Sequence, residues 1–286
     1  MILLRPLLRF FRSQRWAVLR RSATFWVGAG ITFMWIFLAI FGKAVAPFDP
    51  LGSAEDVLNK LQAPSADHWF GTDRLGRDVL SRVIVGSRQA LTVALAATVL
   101  GTVVGTTLGL IVGYFGGIVD DIIGRILDAF LSIPLVITGM LALAALGPNT
   151  LGVIIVIGLV FTPLIAKTVR AAVLTERQLD YVSAAQLRRE GPFHIMFVEI
   201  LPNVTSVITV EFTVRLGYAI FTVLALSFLG FGVEPSVPDW GLSIAQHFGF
   251  LTGDIWWPVL FPALAIATLV VGVNLLSDGI AQAYEN

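Results

Sequence analysis

The residues best suited to chemistry are thinly spread in this sequence. Asp120-Asp121 with Asp128 could suggest an intramembrane aspartyl protease, but they open an apolar stretch, where solvated helix-end acids are the plainer reading. His68, His194 and His247 are scattered and offer no close-spaced metal pair. There is no GxSxG elbow, no HExxH and no GxxxxGK[ST] phosphate loop. With no cysteine, a disulfide framework, a thiolate metal site and a Cys nucleophile are excluded. Glu211 and Arg215, four apart, can pair on one helical face, as an internal salt bridge or as a gate or lining pair. The expectation is a protein that is not an enzyme and holds no metal or cofactor.

The elements that carry these residues are apolar. The 286 residues are 56% hydrophobic and 13% charged, against about 25% charged in a typical soluble domain. Mean hydropathy is +0.85. The 19 Lys+Arg and 19 Asp+Glu cancel, which argues against a nucleic-acid partner. The lipid bilayer is the implied surrounding, because about 20 apolar residues cross its hydrocarbon as a helix. Residues 22–42 and 89–119 carry no charge and predict spans 1 and 2. The uncharged run 129–166 is too long for one span, and Gly147-Pro148-Asn149-Thr150 divides it as a turn. Spans 3 (roughly 122–146) and 4 (roughly 151–172) flank that turn. Span 5 covers roughly 204–232 and span 6 includes 255–277. The fold class is all-α and polytopic, with six transmembrane helices.

Six spans put both termini on one side. Arg5, Arg9, Arg12, Arg15, Arg20 and Arg21, with no acid among them, make residues 1–22 a cytoplasmic basic segment. Residues 23–42 then form transmembrane helix 1 and 43–88 an extracytoplasmic loop. A five-helix core fills 89–286, with a cytoplasmic loop over 173–203. Lys167, Arg170, Arg177, Arg188 and Arg189 fit that inner placement, and Glu234, Asp239 and Asp254 fit an outer 5–6 loop. A cleaved signal ending near Ala44-Val45-Ala46 is disfavoured by an apolar stretch longer than a usual signal core. Arg20-Arg21 reads as a topology determinant rather than a twin-arginine signal.

Gly101, Gly105, Gly109 and Gly113, each four from the last, define one face of span 2. Small residues let helix backbones approach closely, which predicts a packing seam, or a seam between rocking halves. Pro134 and Pro163 lie within spans 3 and 4 and predict kinks, whether merely packed or lining a pathway. Asn274 in span 6 could bond another helix or line the path. In residues 78–88, Val79, Leu80, Val83 and Ile84 share one helical face, which suggests a short helix at the interface before span 2, and Gly71 and Gly76 mark turns just upstream.

The inner segment 180–203, DYVSAAQLRREGPFHIMFVEILPN, is the most informative. Asp180 to Arg189 reads as a short helix with an acidic start and a basic end, matching the helix dipole. Gly191-Pro192 ends it, and Leu201-Pro202-Asn203 marks entry into span 5. The small pair Ala184-Ala185 suits docking into another protein's groove.

This segment resembles the EAA coupling motif of ABC-importer membrane subunits, where an acid precedes two alanines, a glycine follows four residues later, and Leu-Pro-Asn lies beyond. Ala184, Ala185 and Leu201-Pro202-Asn203 match; Ser183 stands for the acid, Arg189 for the glycine (Gly191 lies two further on), and Glu199 for the frequent His. Elsewhere the sequence is similar to the C-type permease of dipeptide/oligopeptide/nickel importers. The matching stretches are His68-Trp69-Phe70-Gly71-Thr72-Asp73, Leu75-Gly76-Arg77-Asp78 with Ser81-Arg82, and Gly113-Tyr114-Phe115-Gly116-Gly117 with Asp120. Ser227-Phe228-Leu229-Gly230-Phe231-Gly232, Trp240-Gly241 and Asn274-Leu275-Leu276-Ser277-Asp278-Gly279 continue the likeness to the C-terminal region.

The resemblance implies the type I ABC-importer permease fold in the plasma membrane. It further implies a heterodimer with a second, B-type permease, two cytoplasmic ATPase subunits and an extracytoplasmic substrate-binding protein. Peptides are the implied substrate class. The 180–190 helix would sit in an ATPase groove and drive the pathway between outward and inward access. The competing functions are a secondary transporter or channel acting alone, and a membrane scaffold.

Overall fold

The computed structural model describes residues 14–52, 59–147, 149–232 and 237–285. Arg5, Arg9 and Arg12 of the basic segment, Glu55 and Asp56 of the 43–88 loop, Pro148 of the dividing turn, and Glu234 lie outside them. Among the described residues every element is helical, apart from one isolated bridge between Thr72 and Asp78.

In chain order, the helices are α1 (Gln14–Arg21), α2 (Ala23–Val45), α3 (Val79–Phe115), α4 (Gly117–Leu131), α5 (Leu135–Leu146) and α6 (Thr150–Glu176). There follow α7 (Asp180–Leu187), α8 (Pro192–Phe228), α9 (Trp240–His247) and α10 (Trp257–Glu285). Five of these, α2, α3, α6, α8 and α10, are long and apolar enough to cross a membrane; α4 and α5 together make a sixth apolar stretch, bent by 86°.

Three sequence expectations are corrected. First, Pro134 does not kink a continuous span. It caps α5, and α4 closes two residues earlier with Ser132 N–H on Asp128 O at 3.0 Å. Proline offers no N–H and pushes the preceding residue, Ile133, out of the helical region, so the chain turns there. Pro163, by contrast, sits inside an unbroken α6. Second, residues 78–88 are not a separate helix but lead directly into α3, with Val79, Val83 and Ile84 buried. Asp78 caps this start, its Oδ2 accepting from the Ser81 N–H and hydroxyl at 2.7 Å each. Third, α8 starts at Pro192, well before residue 204. Its residues Ile195–Ile200 form a π-helical turn, and Leu201 N–H reaches Met196 O across it. Pro202, which can donate no helix bond, follows at once; such widened turns are where helices absorb an interrupted ladder.

The described residues form two compact units. One comprises Met1–Ala94, Pro148–Thr150 and Ile220–Asn286. Here α2 meets α10 almost backbone to backbone. A methyl on Gly28 would come within 2.8 Å of Gly272 O, and one on Gly272 within 2.6 Å of Ile31. Close packing of this kind holds apolar helices together where lipid removes the hydrophobic drive. The buried indoles find backbone or hydroxyl acceptors: Trp240 on Val83 O (3.0 Å), Trp257 on Thr72 O (2.9 Å) and Trp35 on Thr268 Oγ1 (3.2 Å).

The other unit comprises Leu95–Gly147 and Leu151–Ala219. Its centre is the meeting of α3 and α6. A methyl on any of Gly101, Gly105, Gly109 or Gly113 would come within 2.8 Å of Gly158 O, Ile165 Cβ, Ala166 O or Val173 Cβ respectively. All four glycines therefore face α6, and a larger residue at any of them would force the helices apart.

Candidate functional site

The 180–203 segment folds as a helix, a reversal and a second helix. Val182 and Ala185 of α7 are fully buried and pack with Ile195, Met196 and Ile200 of the π-helical turn. Ser183, Gln186 and Leu187 face out, Leu187 at 86% exposure. Ala185 is thus turned toward its own chain and is not available to a partner; Ala184 is half-buried. The i, i+3 spacing of Val182 and Ala185 sets this division. Asp180 lies exposed in the first turn, where its charge suits the helix dipole.

The end of α7 explains the unusual residue at 189. Glu190 N–H reaches Ala185 O (3.2 Å) and Arg189 N–H reaches Gln186 O (2.9 Å). This pair of bonds is a Schellman closure, which needs a left-handed residue at its centre, usually glycine. Arg189 takes that conformation with φ 59°, against the steric penalty of its Cβ. The departure from glycine therefore leaves the backbone reversal intact. Gly191 then caps α8, with Pro192 in its first turn.

A charged network covers the reversal. Arg188 Nε donates to Glu190 Oε1 (2.7 Å), and its terminal nitrogen donates to Glu199 Oε1 (3.2 Å). The Arg188 guanidinium holds the Glu190 carboxyl below its ordinary range. His194 Nε2 approaches Glu190 Oε2 at 3.6 Å. Ligand atoms of Glu190, His194 and Glu199 lie within 4.8 Å of one another, and Arg188 donates to both carboxylates. Tyr181 Oη donates to Glu176 Oε2 at 2.7 Å and also meets the Asn203 side chain. Burial, followed by the Glu176 bond, pushes the phenol up to about 12. Asn203 Nδ2 donates back to Glu199 O at 2.8 Å, beside Pro202, and Leu201 is half-buried behind them.

The remaining candidates are spread along the long helices. Glu211 Oε1 accepts from Arg215 Nε at 2.6 Å within α8, and the Arg215 guanidinium lies 5.6 Å from the Tyr218 ring centre. Pro163 is buried beside a cavity of about 190 Å³ between α6 and the bent α4–α5 pair; Pro134 is exposed at the bend. Asn274 is exposed on α10. Two long-range ion pairs escape sequence reasoning. Asp120 binds Arg170 through two bonds and Asp128, still largely exposed, binds Lys167, so these helix-end acids also pair with α6. Their separations of 50 and 39 residues carry no local signal.

A second ionic cluster lies in the unit containing α9. Asp73 Oδ2 accepts from Arg77 Nε at 2.7 Å and lies 3.7 Å from Arg82 Nε. His68 Nδ1 meets Asp78 Oδ1 at 2.9 Å. Asp239 caps α9 through Leu242 N–H at 2.8 Å, and burial pushes its carboxyl up. His247 Nδ1 bonds Ser243 O (2.6 Å) and its Nε2 accepts from Arg74 N–H (3.3 Å), which is the neutral tautomer. Burial pushes this imidazole down, in agreement.

Among the described residues, five apolar helices long enough to span, a sixth bent pair and a short solvent-facing helix between two of them are the build of a polytopic membrane protein. Residues 105–286 match the family described as binding-protein-dependent transport system inner membrane component, and the chain belongs to that family. It is 39% identical over 277 residues to the dipeptide transport system permease protein DppC of Escherichia coli K12, covering 94% of this chain and 91% of that protein. It is 36% identical over 262 residues to the di/tripeptide transport system permease protein DppC of Pseudomonas aeruginosa, covering 90% and 86%. Among solved structures, the MetNI methionine ABC transporter in an inward-facing conformation matches with a TM-score of 0.57 at 18% identity. That match covers 71% of this chain and 96% of that one, and fixes the fold as that of an ABC-importer permease. The chain is therefore a multi-pass permease subunit, not a carrier acting alone or a scaffold.

Proposed function

We propose that this chain is one of two permease subunits of an ATP-driven importer of dipeptides and related short peptides. The substrate class is supported by relatives at 36% and 39% identity over most of the chain. A B-type permease would form the other half of the pathway. An extracytoplasmic binding protein would deliver substrate, meeting the 43–88 loop and the segment after α8. Two ATPase subunits would hydrolyse ATP, since this chain carries no phosphate loop of its own. Residues 1–22, the segment 173–203 and both termini belong on the cytoplasmic side.

The observation that carries the coupling role is the division of α7. Its inner face, Val182 and Ala185, fixes it to this chain, and its outer face, Ser183, Gln186 and Leu187, is left open. Leu187 is the most exposed large apolar side chain among the described residues, and seating it in a partner's groove would remove that surface from water. Closure of the ATPases would move α7, and the motion would pass into α6 and α8, which bracket it in sequence. Glu211, Arg215, Pro134, Pro163 and Asn274 are the candidates for gate or pathway.

The test is Leu187→Glu in the assembled transporter, with peptide uptake and ATP hydrolysis measured together. Uptake should be lost and hydrolysis should cease to respond to loaded binding protein, with the unfolding midpoint unchanged. Normal uptake would remove α7's outer face from the coupling role. Ala185→Arg is the poorer probe, because it disrupts this chain's own packing.

A further inference from the structure

Lys43 and Arg88 each stand at the edge of an uncharged run. Lys43 is the first charge after the uncharged run 22–42, and Arg88 is the last before the uncharged run 89–119. The fold brings these two edges together. A methyl on Gly42 would lie 3.2 Å from Ile84 Cγ2 and 3.3 Å from Ile84 O, so α2 and α3 cross there. Lys43 follows Gly42 directly, and Arg88 lies one helical turn beyond Ile84.

The two cations line a cavity of about 1030 Å³, together with Asp49, Gln89, Phe48, Leu51 and Val85. That is near the upper end of the roughly 300–1,000 Å³ of ligand pockets. They also line a narrower cleft that runs down α2 past Ile40 and Leu38, toward the hydrocarbon. Neither cation takes part in an ion pair among the described residues, and Asp49 already accepts from Leu51 N–H at 2.9 Å. Gln89 Nε2 is buried with no acceptor. A buried donor without a partner costs about 1–3 kcal/mol, so an acceptor is wanted at that point.

We propose that this pocket binds the phosphate of an anionic phospholipid between Lys43 and Arg88. The Gln89 amide turns toward the pocket to donate to a phosphate oxygen, and one acyl chain descends the Ile40–Leu38 cleft. The chemistry recognised is a singly charged phosphodiester at the level where headgroups lie. Free phosphate satisfies the cations and the amide but leaves the apolar cleft uncovered; the carboxylate of a dipeptide does the same. The apolar lining, continuous with two membrane-spanning helices, favours the lipid.

The test is native mass spectrometry of the full chain, purified with the subunits that accompany it, from phosphatidylcholine nanodiscs containing phosphatidylglycerol. Wild type should retain phosphatidylglycerol over phosphatidylcholine. Each basic residue near a membrane surface contributes about 1 kcal/mol, so Lys43→Gln or Arg88→Gln should lower retention roughly fivefold and the double variant about thirtyfold. Gln89→Leu, which keeps both charges, should lower it severalfold, and Lys60→Gln, away from the pocket, should leave it unchanged. Unfolding midpoints in lipid-free detergent check that the variants fold. Equal retention by wild type and the double variant overturns the proposal. So does displacement of the lipid by inorganic phosphate or by a dipeptide, which would identify a soluble-anion site instead.

Discussion

Asp73, Arg77 and Arg82 form an ionic cluster whose side chains are at most 10% exposed; Arg188, the hub of the cluster beside α7, is 55% exposed. Both clusters join arginines to carboxylates over a short stretch of chain, yet they serve different ends. In the first, Asp73 also accepts from the backbone N–H groups of Leu75 and Arg77, so the charges and the turn specify one another. In the second, the backbone closes by itself through the Schellman bonds of Ala185 and Gln186, and the charges lie over it. Buried charges fix a shape because any one left alone is costly, whereas exposed pairs add little and leave a surface free. The first cluster therefore builds a rigid support, and the second leaves the outer face of α7 open.

Four tests probe this contrast. Asp73→Asn strands two buried guanidinium groups and should destabilise the chain by about 3–5 kcal/mol, read as a large fall in the thermal midpoint in detergent. A next, smaller effect concerns two helix ends of the same design. Gly230 closes α8 at φ 86° with Phe231 N–H on Leu226 O, as Arg189 closes α7 at φ 59°. Gly230→Ala should cost about 1 kcal/mol, and Arg189→Gly should stabilise by about as much, both measured by denaturant unfolding. Opposite signs at these two positions identify backbone strain as the cause.

The third test is a titration. His247 is held neutral, with its imidazole below the ordinary value of 6.5. The unfolded chain therefore takes up its proton first as pH falls. Stability from this group is complete above 6.5 and declines as the pH drops from there toward the folded value. His247→Gln should flatten that part of the stability profile. The smallest effect is expected from Arg188→Gln, which should leave the midpoint nearly unchanged at moderate salt. A fall comparable to that of Asp73→Asn would erase the distinction between the clusters.

The uncharged runs made α2, α3, α6 and α10 legible, because length without charge is a strong constraint in a bilayer. The break at Ser132-Ile133-Pro134 was half legible: proline announces an interruption, but the 86° turn depends on how α4 and α5 each pack. Gly191-Pro192 reads as the stop of one helix, yet proline in a first turn is equally a start, and α8 begins there. The coupling segment was found through its alanines and Leu-Pro-Asn. Which alanine faces inward was not legible, since Ala184 and Ala185 are chemically alike and only the register of Val182 with the π-helical turn separates them. The partners of Asp120 and Asp128 were hidden for a different reason: they belong to another helix.

The central claim is that the outer face of α7 contacts an ATPase. Because the chain contains no cysteine, a single introduced thiol is unique in it. Leu187→Cys and Ala185→Cys, each placed in the assembled transporter and treated with a short thiol–amine cross-linker, compare the two faces of α7 directly. Leu187→Cys should join this chain to an ATPase subunit in high yield, and Ala185→Cys should not. Equal yields from both positions, or none from Leu187→Cys, would contradict the account.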